Sequence, residues 1–190
     1  MADLYVFHQG ANNDGELWYS SNNNINWTAD TQVQNIGMSE SPSAVLWADG
    51  ISVFHQGGQN TPGSLWYDYF DGTNWYGDTL VPNLGMSGSP SAVVYNGLLY
   101  VFYQGGSGYN GQLWYSSNDG TNWGQNIVHN VDMSASPSAV VYNGVLFIFH
   151  QGGNDGQLWY TAFDGTNWGE DTYLRNLGNL KPAATLLAAA

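Results

Sequence analysis

Along this chain the apolar positions fall in short runs rich in Val, Phe, Tyr, Trp and Leu, each closed by Gly, Asn, Asp or Pro. No stretch keeps an apolar residue every ~3.6 positions, so the pattern predicts strands and turns with essentially no helix. The runs also return. Val6-Phe7-His8-Gln9-Gly10 recurs from Val53 to Gly57, from Val101 to Gly105 with Tyr103 in place of His, and from Ile148 to Gly152, a spacing of about 47 residues. A Leu-Trp-Tyr triplet follows each time, starting at Leu17, Leu65, Leu113 and Leu158, and then an Asn-Trp ending at Trp27, Trp75, Trp123 and Trp168. Ser-Pro-Ser-Ala-Val closes the first three copies, at Ser41 to Val45, Ser89 to Val93 and Ser136 to Val140.

One copy reads as four strands: A from Pro137 to Tyr142, B from Leu146 to His150, C from Gln157 to Tyr160, and D after Trp168. Asn96-Gly97, Asn143-Gly144 and Asp49-Gly50 predict type I′ hairpins between A and B, because both central residues must accept positive φ. Four strands in a repeat of this length make a propeller blade. The expected fold is all-β, a single β-propeller of four four-stranded blades over residues 1–190, with repeats at about 1–40, 41–88, 89–135 and 136–181. Pro182-Ala183-Ala184-Thr185-Leu186 aligns with Pro137-Ser138-Ala139-Val140-Val141, whereas Leu4 to His8 aligns with a strand B. Residues 182–190 are therefore expected to complete the first blade, so that the N- and C-terminal strands share one sheet and close the ring. Two chains exchanging that strand would give an eight-bladed ring, so the expected state is a monomer or a homodimer.

Charge decides what such a ring is expected to bind. Fifteen acidic side chains face only Arg175 and Lys181, a formal net charge of −13. Nucleic acid and anionic membranes both demand clustered Lys and Arg, so neither is an expected partner. No run approaches the ~18 apolar residues of a membrane span, so no membrane insertion is expected. With no cysteine, disulfides, thiolate zinc sites and a Cys nucleophile are excluded. Met1-Ala2-Asp3-Leu4-Tyr5 lacks the basic and apolar regions of a signal peptide, and the expected location is cytoplasmic, or outside the cell by a signal-independent route.

Hairpin alternation puts the A–B and C–D turns on one face and the B–C loops with the D–A connections on the other. That second face is expected to carry His8, His55, Tyr103 and His150, the amides of Gln9, Gln56, Gln104 and Gln151, and the hydroxyls of Ser39, Ser41, Ser87, Ser89, Ser134 and Ser136. Amides and hydroxyls exchange hydrogen bonds with sugar hydroxyls, while an aromatic wall suits the C–H face of a pyranose. Trp18, Trp66, Trp114 and Trp159 are the candidate walls and are read first as packing between blades; the Asn-Trp set, following a turn, is better placed to face a ligand. The competing reading is that Gln and Ser satisfy loop backbone groups in the same way in each copy. In the fourth copy Gly178-Asn179-Leu180-Lys181-Pro182 replaces Gly-Met-Ser-x-Ser-Pro, and a site there is expected to be weak or absent.

The order Leu-x-Val-Phe-x-x-Gly, Gly-x-Leu-Trp, Asp-Gly-x-x-Trp and Ser-x-Pro-Ser-x-Val resembles the propeller lectins of mushrooms and insect-pathogenic bacteria, the group of Psathyrella velutina lectin and the Photorhabdus fucose-binding lectins. The resemblance spans the chain. It implies monosaccharide sites of fucose or N-acetylglucosamine type in the clefts between blades, hence a multivalent carbohydrate-binding protein with glycan partners and no catalysis. The rival is a propeller glycoside hydrolase, since Ser116-x-Asn118-x-Gly120-x-x-Trp123 is similar to the Asp box of sialidases. A sialidase needs an arginine cluster and a hydrolase two differently tuned carboxylates; the repeat consensus offers neither. A protein-binding scaffold using the same face is the third reading. No cofactor is expected. No metal site is expected either, because His8, His55 and His150 recur once per blade and do not converge, and Asn13-Asp14-Gly15 and Asn154-Asp155-Gly156 read as plain turns.

Overall fold

The computed structural model describes residues 3–12, 14–82 and 85–175. They form fourteen strands, and no helix occurs among them. In chain order these are β1 (Leu4–Gln9), β2 (Glu16–Asn22), β3 (Thr31–Trp47), β4 (Gly50–Gly57), β5 (Leu65–Phe70), β6 (Trp75–Val81), β7 (Met86–Tyr95), β8 (Leu98–Gly105), β9 (Gln112–Asn118), β10 (Trp123–Asp132), β11 (Ser138–Tyr142), β12 (Val145–Gln151), β13 (Leu158–Phe163) and β14 (Thr172–Arg175). All pairing is antiparallel, in sheets of six, four and four strands. The first sheet has six because β3 serves twice: its start pairs with β2 (Trp18↔Gln32) and its end with β4 (Trp47↔Gly50). Four successive sheet units result: β1, β2 and the start of β3; the end of β3 with β4 to β6; β7 to β10; and β11 to β14. The closing strand expected at 182–190, and the variant segment Gly178 to Pro182, lie outside the described residues.

The hairpins hold with one shift. Asn96-Gly97 and Asn143-Gly144 take positive φ as the turn demands. In the second unit the turn is Ala48-Asp49 (φ 53° and 65°), not Asp49-Gly50, and Gly50 pairs with Trp47. The reason is the Tyr69 ring: a Cβ on Gly50 would lie 2.5 Å from it, so glycine is needed beside the turn rather than in it.

One aromatic arrangement joins the units. On β4 and β5, Phe54 stands opposite Tyr67, and Trp123 of the next unit closes over both at centroid distances of 6.1 and 6.0 Å. Trp75 closes in the same way over Phe7 and Tyr19, at 5.9 and 5.8 Å, and Trp168 over Phe102 and Tyr115, at 6.0 Å each. Three of the Asn-Trp indoles thus pack between units as well as following a turn, each landing on the face of the unit before it, while Trp114 of the Leu-Trp-Tyr set also packs against a buried cluster, as the sequence led one to expect. The fourth Phe-Tyr pair, Phe149 and Tyr160, has its two rings 6.0 Å apart and carries no such indole among the described residues, while Trp27 is 52% exposed.

A second seam joins the first strands of neighbouring units. The Ser89 and Ser136 hydroxyls accept from the backbone N–H of Ser41 and Ser89, and the Ser43 and Ser91 hydroxyls from those of Ala92 and Ala139. These hydroxyls stitch strands that share no ladder, which accounts for the repeated Ser-Pro-Ser-Ala.

Candidate ligand clefts

The loop face does bring the B–C loops and D–A connections together, and most of the nominated polar groups on it are occupied by backbone. Gln9, Gln56 and Gln104 donate their side-chain amides to the carbonyls of Met38, Met86 and Met133, each on the connection leading to the next unit. Gln151 donates instead to Gly156, within its own loop. Ser39, Ser87 and Ser134 donate to the carbonyls of Gly57, Gly105 and Gly152. Ser41, Ser89 and Ser136 lie in the seam described above. Trp18 and Trp159 turn their indole N–H groups to Asp14 and Asp155, Trp114 to Gln112, and the buried Trp66 N–H has no partner. Of these residues Gln9 and Ser39 line an open cleft of 380 Å³ with Glu40, Gln59 and Pro62, and Trp159 lines one of 330 Å³ with Asn130, Asn154 and Asp155.

His55, Tyr103 and His150 face inward and are fully buried. Their partners come from the third and fourth strands of the same unit. His150 Nε2 lies 2.8 Å from Asp171, and the half-exposed His8 Nε2 lies 3.4 Å from Asp30. Tyr103 shares its hydroxyl with Ser116 at 3.2 Å and accepts from Gln125 at 2.8 Å; burial pushes its ionisation above the usual phenol range. Where the second strand carries His the fourth carries Asp, and where it carries Tyr the fourth carries Gln. The second unit alone adds another carboxylate: His55 Nε2 lies 3.1 Å from Asp68 and 3.7 Å from Asp78.

A cleft of 480 Å³ opens on the opposite face between the second and third units. Trp47, Tyr67, Tyr69, Tyr76 and Trp123 form its walls, and Ser52, Thr79, Asn118 and Thr121 bring polar atoms to it. Tyr69 and Tyr76 stand 6.2 Å apart at 40°, with their hydroxyls held by the Ala48 carbonyl and the Asp71 carboxylate. Trp123 belongs to the Asn-Trp set that the sequence favours for facing a ligand; the other residues carry no such expectation. The signal available was departure from the repeat: Ser21, Ser117 and Ala162 stand where Tyr69 is, and Thr28, Gly124 and Gly169 where Tyr76 is.

The Asp-Gly-Thr-Asn turns, of which those at Asp71 and Asp119 border this cleft, are structural. Asp71, Asp119 and Asp164 each accept two backbone N–H groups, from Thr73 and Asn74, Thr121 and Asn122, and Thr166 and Asn167, and these bonds hold each carboxyl below its usual range. A depressed folded value means the stabilisation is present above the ordinary carboxylate value of 3.8 and is lost as pH falls through the folded value. The gap in thermal midpoint between wild type and Asp119→Ala is therefore expected to be widest near neutral pH and to close on acidification below 3.8; a gap independent of pH would refute this.

A family model described as the DUF6242 β-propeller domain matches residues 70–185. The chain belongs to that family. The sheets accordingly belong to a β-propeller, and the indole and serine contacts are seams between its sheet units. No curated protein sequence matches the chain. Among solved structures, the six-bladed fucose-recognising lectin of Aleuria aurantia superposes with a TM-score of 0.66 at 16% identity, over 95% of this chain and 58% of that one. The α-L-arabinanase of Penicillium chrysogenum gives 0.60 at 13%, over 83% and 54%, and the endosialidase of phage phi92 gives 0.58 at 14%, over 80% and 30%. The chain spans less than two thirds of the length of each. At these identities the likeness shows the fold.

Proposed function

We propose that this propeller binds carbohydrate, of fucose or N-acetylglucosamine type, in clefts between its blades and does not cleave it. The observation that carries the reading is the aromatic cleft between the second and third units. Its volume suits a small saccharide, its tyrosine and tryptophan faces suit a pyranose C–H face, and its polar groups are few and fixed. Support for the ligand class comes from the Aleuria aurantia lectin, which is described in complex with α-methyl-L-fucoside. Against hydrolysis stands the position of Asp68: it has a second carboxylate beside it, but no exposed surface through which a substrate could reach it. Four blades in one ring, closed by the strand at 182–190, would repeat the clefts of the loop face. Several millimolar sites, each worth about −4 kcal/mol, would then act together on a glycan surface with avidity orders of magnitude above one site.

Calorimetric titration with methyl α-L-fucoside and N-acetylglucosamine tests this. Saturable binding is expected, and Tyr76→Ala is expected to weaken it about tenfold, equivalent to ~1.4 kcal/mol, with the thermal midpoint almost unchanged because Tyr76 is 53% exposed. No binding of either sugar or a wider glycan set, or release of chromophore from aryl glycosides, would overturn the reading.

A further inference from the structure

We propose that His55, Asp68 and Asp78 form a binding site for one divalent metal ion of borderline softness, such as Zn2+. The three residues come from three adjacent strands, β4, β5 and β6, and their ligating atoms all lie within 4.8 Å of one another. The Nδ1 atom of His55 stands 3.2 Å from the Gln56 carbonyl, which can only accept, so Nδ1 carries the proton there. With the proton on Nδ1, a metal-binding His55 would present its Nε2 lone pair to a cation lying between it and the two carboxylates. A backbone carbonyl holding the far ring nitrogen is also the usual support of a metal-ligating imidazole.

The charge count separates this unit from its sisters. In the fourth unit one imidazole meets one carboxylate, Asp171, and an imidazolium would balance it. In the third unit the corresponding groups, Tyr103, Ser116 and Gln125, are neutral. In the second unit even an imidazolium leaves one negative charge over, and Asp68 is fully buried with its Oδ1 lacking any hydrogen-bond partner. The chain's two basic side chains are Arg175 and Lys181, neither of them on β4, β5 or β6, the strands that supply the cluster. Leaving a buried carboxylate unpaired is costly, and a bound dication removes that cost.

The geometry fits a small ion. Zinc at its usual distances to N and O ligands of ~2.0–2.2 Å sets ligand atoms about 3.3–3.6 Å apart in a tetrahedron. The observed separations from Nε2, 3.1 and 3.7 Å, bracket that range. The Asp78 side chain is 38% exposed, which gives the ion an entry and leaves a coordination position for water. One nitrogen and two oxygens favour zinc over calcium, which takes six or more oxygen ligands.

The test is metal uptake by the full chain, freed of tags and stripped with chelator. Native mass spectrometry and calorimetry with Zn2+ are expected to show one ion per chain, with Ca2+ at the same concentration giving none. At about 100-fold excess over Kd the thermal midpoint is expected to rise by roughly 5–10 °C. Asp68→Ser installs the residue found at the same position of the first and third units, Ser20 and Ser116, and so should fold; it is expected to lose the ion and the midpoint shift, as is His55→Gln. Failure of the wild type to take up zinc, or equal uptake by Asp68→Ser, overturns the proposal. Neither outcome bears on sugar binding, which uses different residues.

Discussion

Phe102→Ala is expected to destabilise the protein by about 3–5 kcal/mol, a fall in thermal midpoint of roughly 6–20 °C for a chain of this size. Phe102 is fully buried, and three rings depend on it: Tyr115 at 5.6 Å across the sheet, Tyr100 at 6.1 Å, and Trp168 of the following unit edge-on at 6.0 Å. Removing it opens a cavity under the indole that holds the third and fourth units together, so lost burial and lost ring contacts fall on one seam. Trp168→Ala is expected to cost somewhat less, because that indole is only partly buried. Thermal denaturation followed by tryptophan fluorescence and far-ultraviolet circular dichroism measures both, and a cost below ~1 kcal/mol for Phe102→Ala would mean that the seam is not where the stability resides. The same comparison reads out ring closure. If the ring closes, Trp27 would sit on Phe149 and Tyr160 in the way Trp75 sits on Phe7 and Tyr19, and Trp27→Ala is then expected to match Trp75→Ala; a much smaller cost would mean the ring is open at that seam.

The fold was legible because it is repeated. A single Val-Phe-His-Gln-Gly run is an ambiguous strand signal, but four of them with a Leu-Trp-Tyr triplet after each fix strand order and hairpin pairing together, and β11, β12 and β13 fall within three residues of the ranges read from the sequence. The single misplaced turn arose where Asp-Gly looked like a hairpin signal, while glycine was required by the Tyr69 ring beside it. The clefts were less legible, and for a physical reason. Residues that recur in every copy invite a ligand-facing reading, yet recurrence is also what inter-unit seams demand: Gln56 must reach the Met86 carbonyl, and Ser43 the Ala92 amide, and so must their counterparts wherever a unit has a neighbour. The candidate sites sit instead where the copies differ: Trp47, Tyr69 and Tyr76 of the aromatic cleft and the buried Asp68 all belong to the second unit, and none recurs at the same position in the other units. Counterparts of a residue within one repetitive chain thus separate what the fold needs from what a site needs.

The exchange of inward-facing groups between units gives the sharpest expectation of this kind. His55→Leu, measured on the metal-free chain, is expected to cost about 3–5 kcal/mol, since it strands the Asp68 carboxylate without surface or partner. The size of that loss comes from the buried charge rather than from the imidazole contact, which as a net hydrogen bond to a charged group contributes ~1.5–3 kcal/mol. Replacing the pair together should then be far milder. His55→Tyr with Asp68→Ser imports the third unit's solution, where the Tyr103 and Ser116 hydroxyls meet at 3.2 Å in the same cross-strand positions, and it is expected to lie within about 1 kcal/mol of wild type. Asp78 should gain from the exchange. Burial, followed by the neighbouring Asp68 charge, raises its carboxyl above the usual range, so its ionised form weighs against folding at neutral pH and is relieved as pH falls through the raised value. Taking away the Asp68 charge should lower that value and flatten the acid rise in stability that it produces. Denaturant midpoints of the wild type, the single variant and the double variant between pH 4 and 8 decide it: a double variant no more stable than His55→Leu would show that the polar groups cannot be exchanged between units, and that the repeats differ in backbone as well as in side chain.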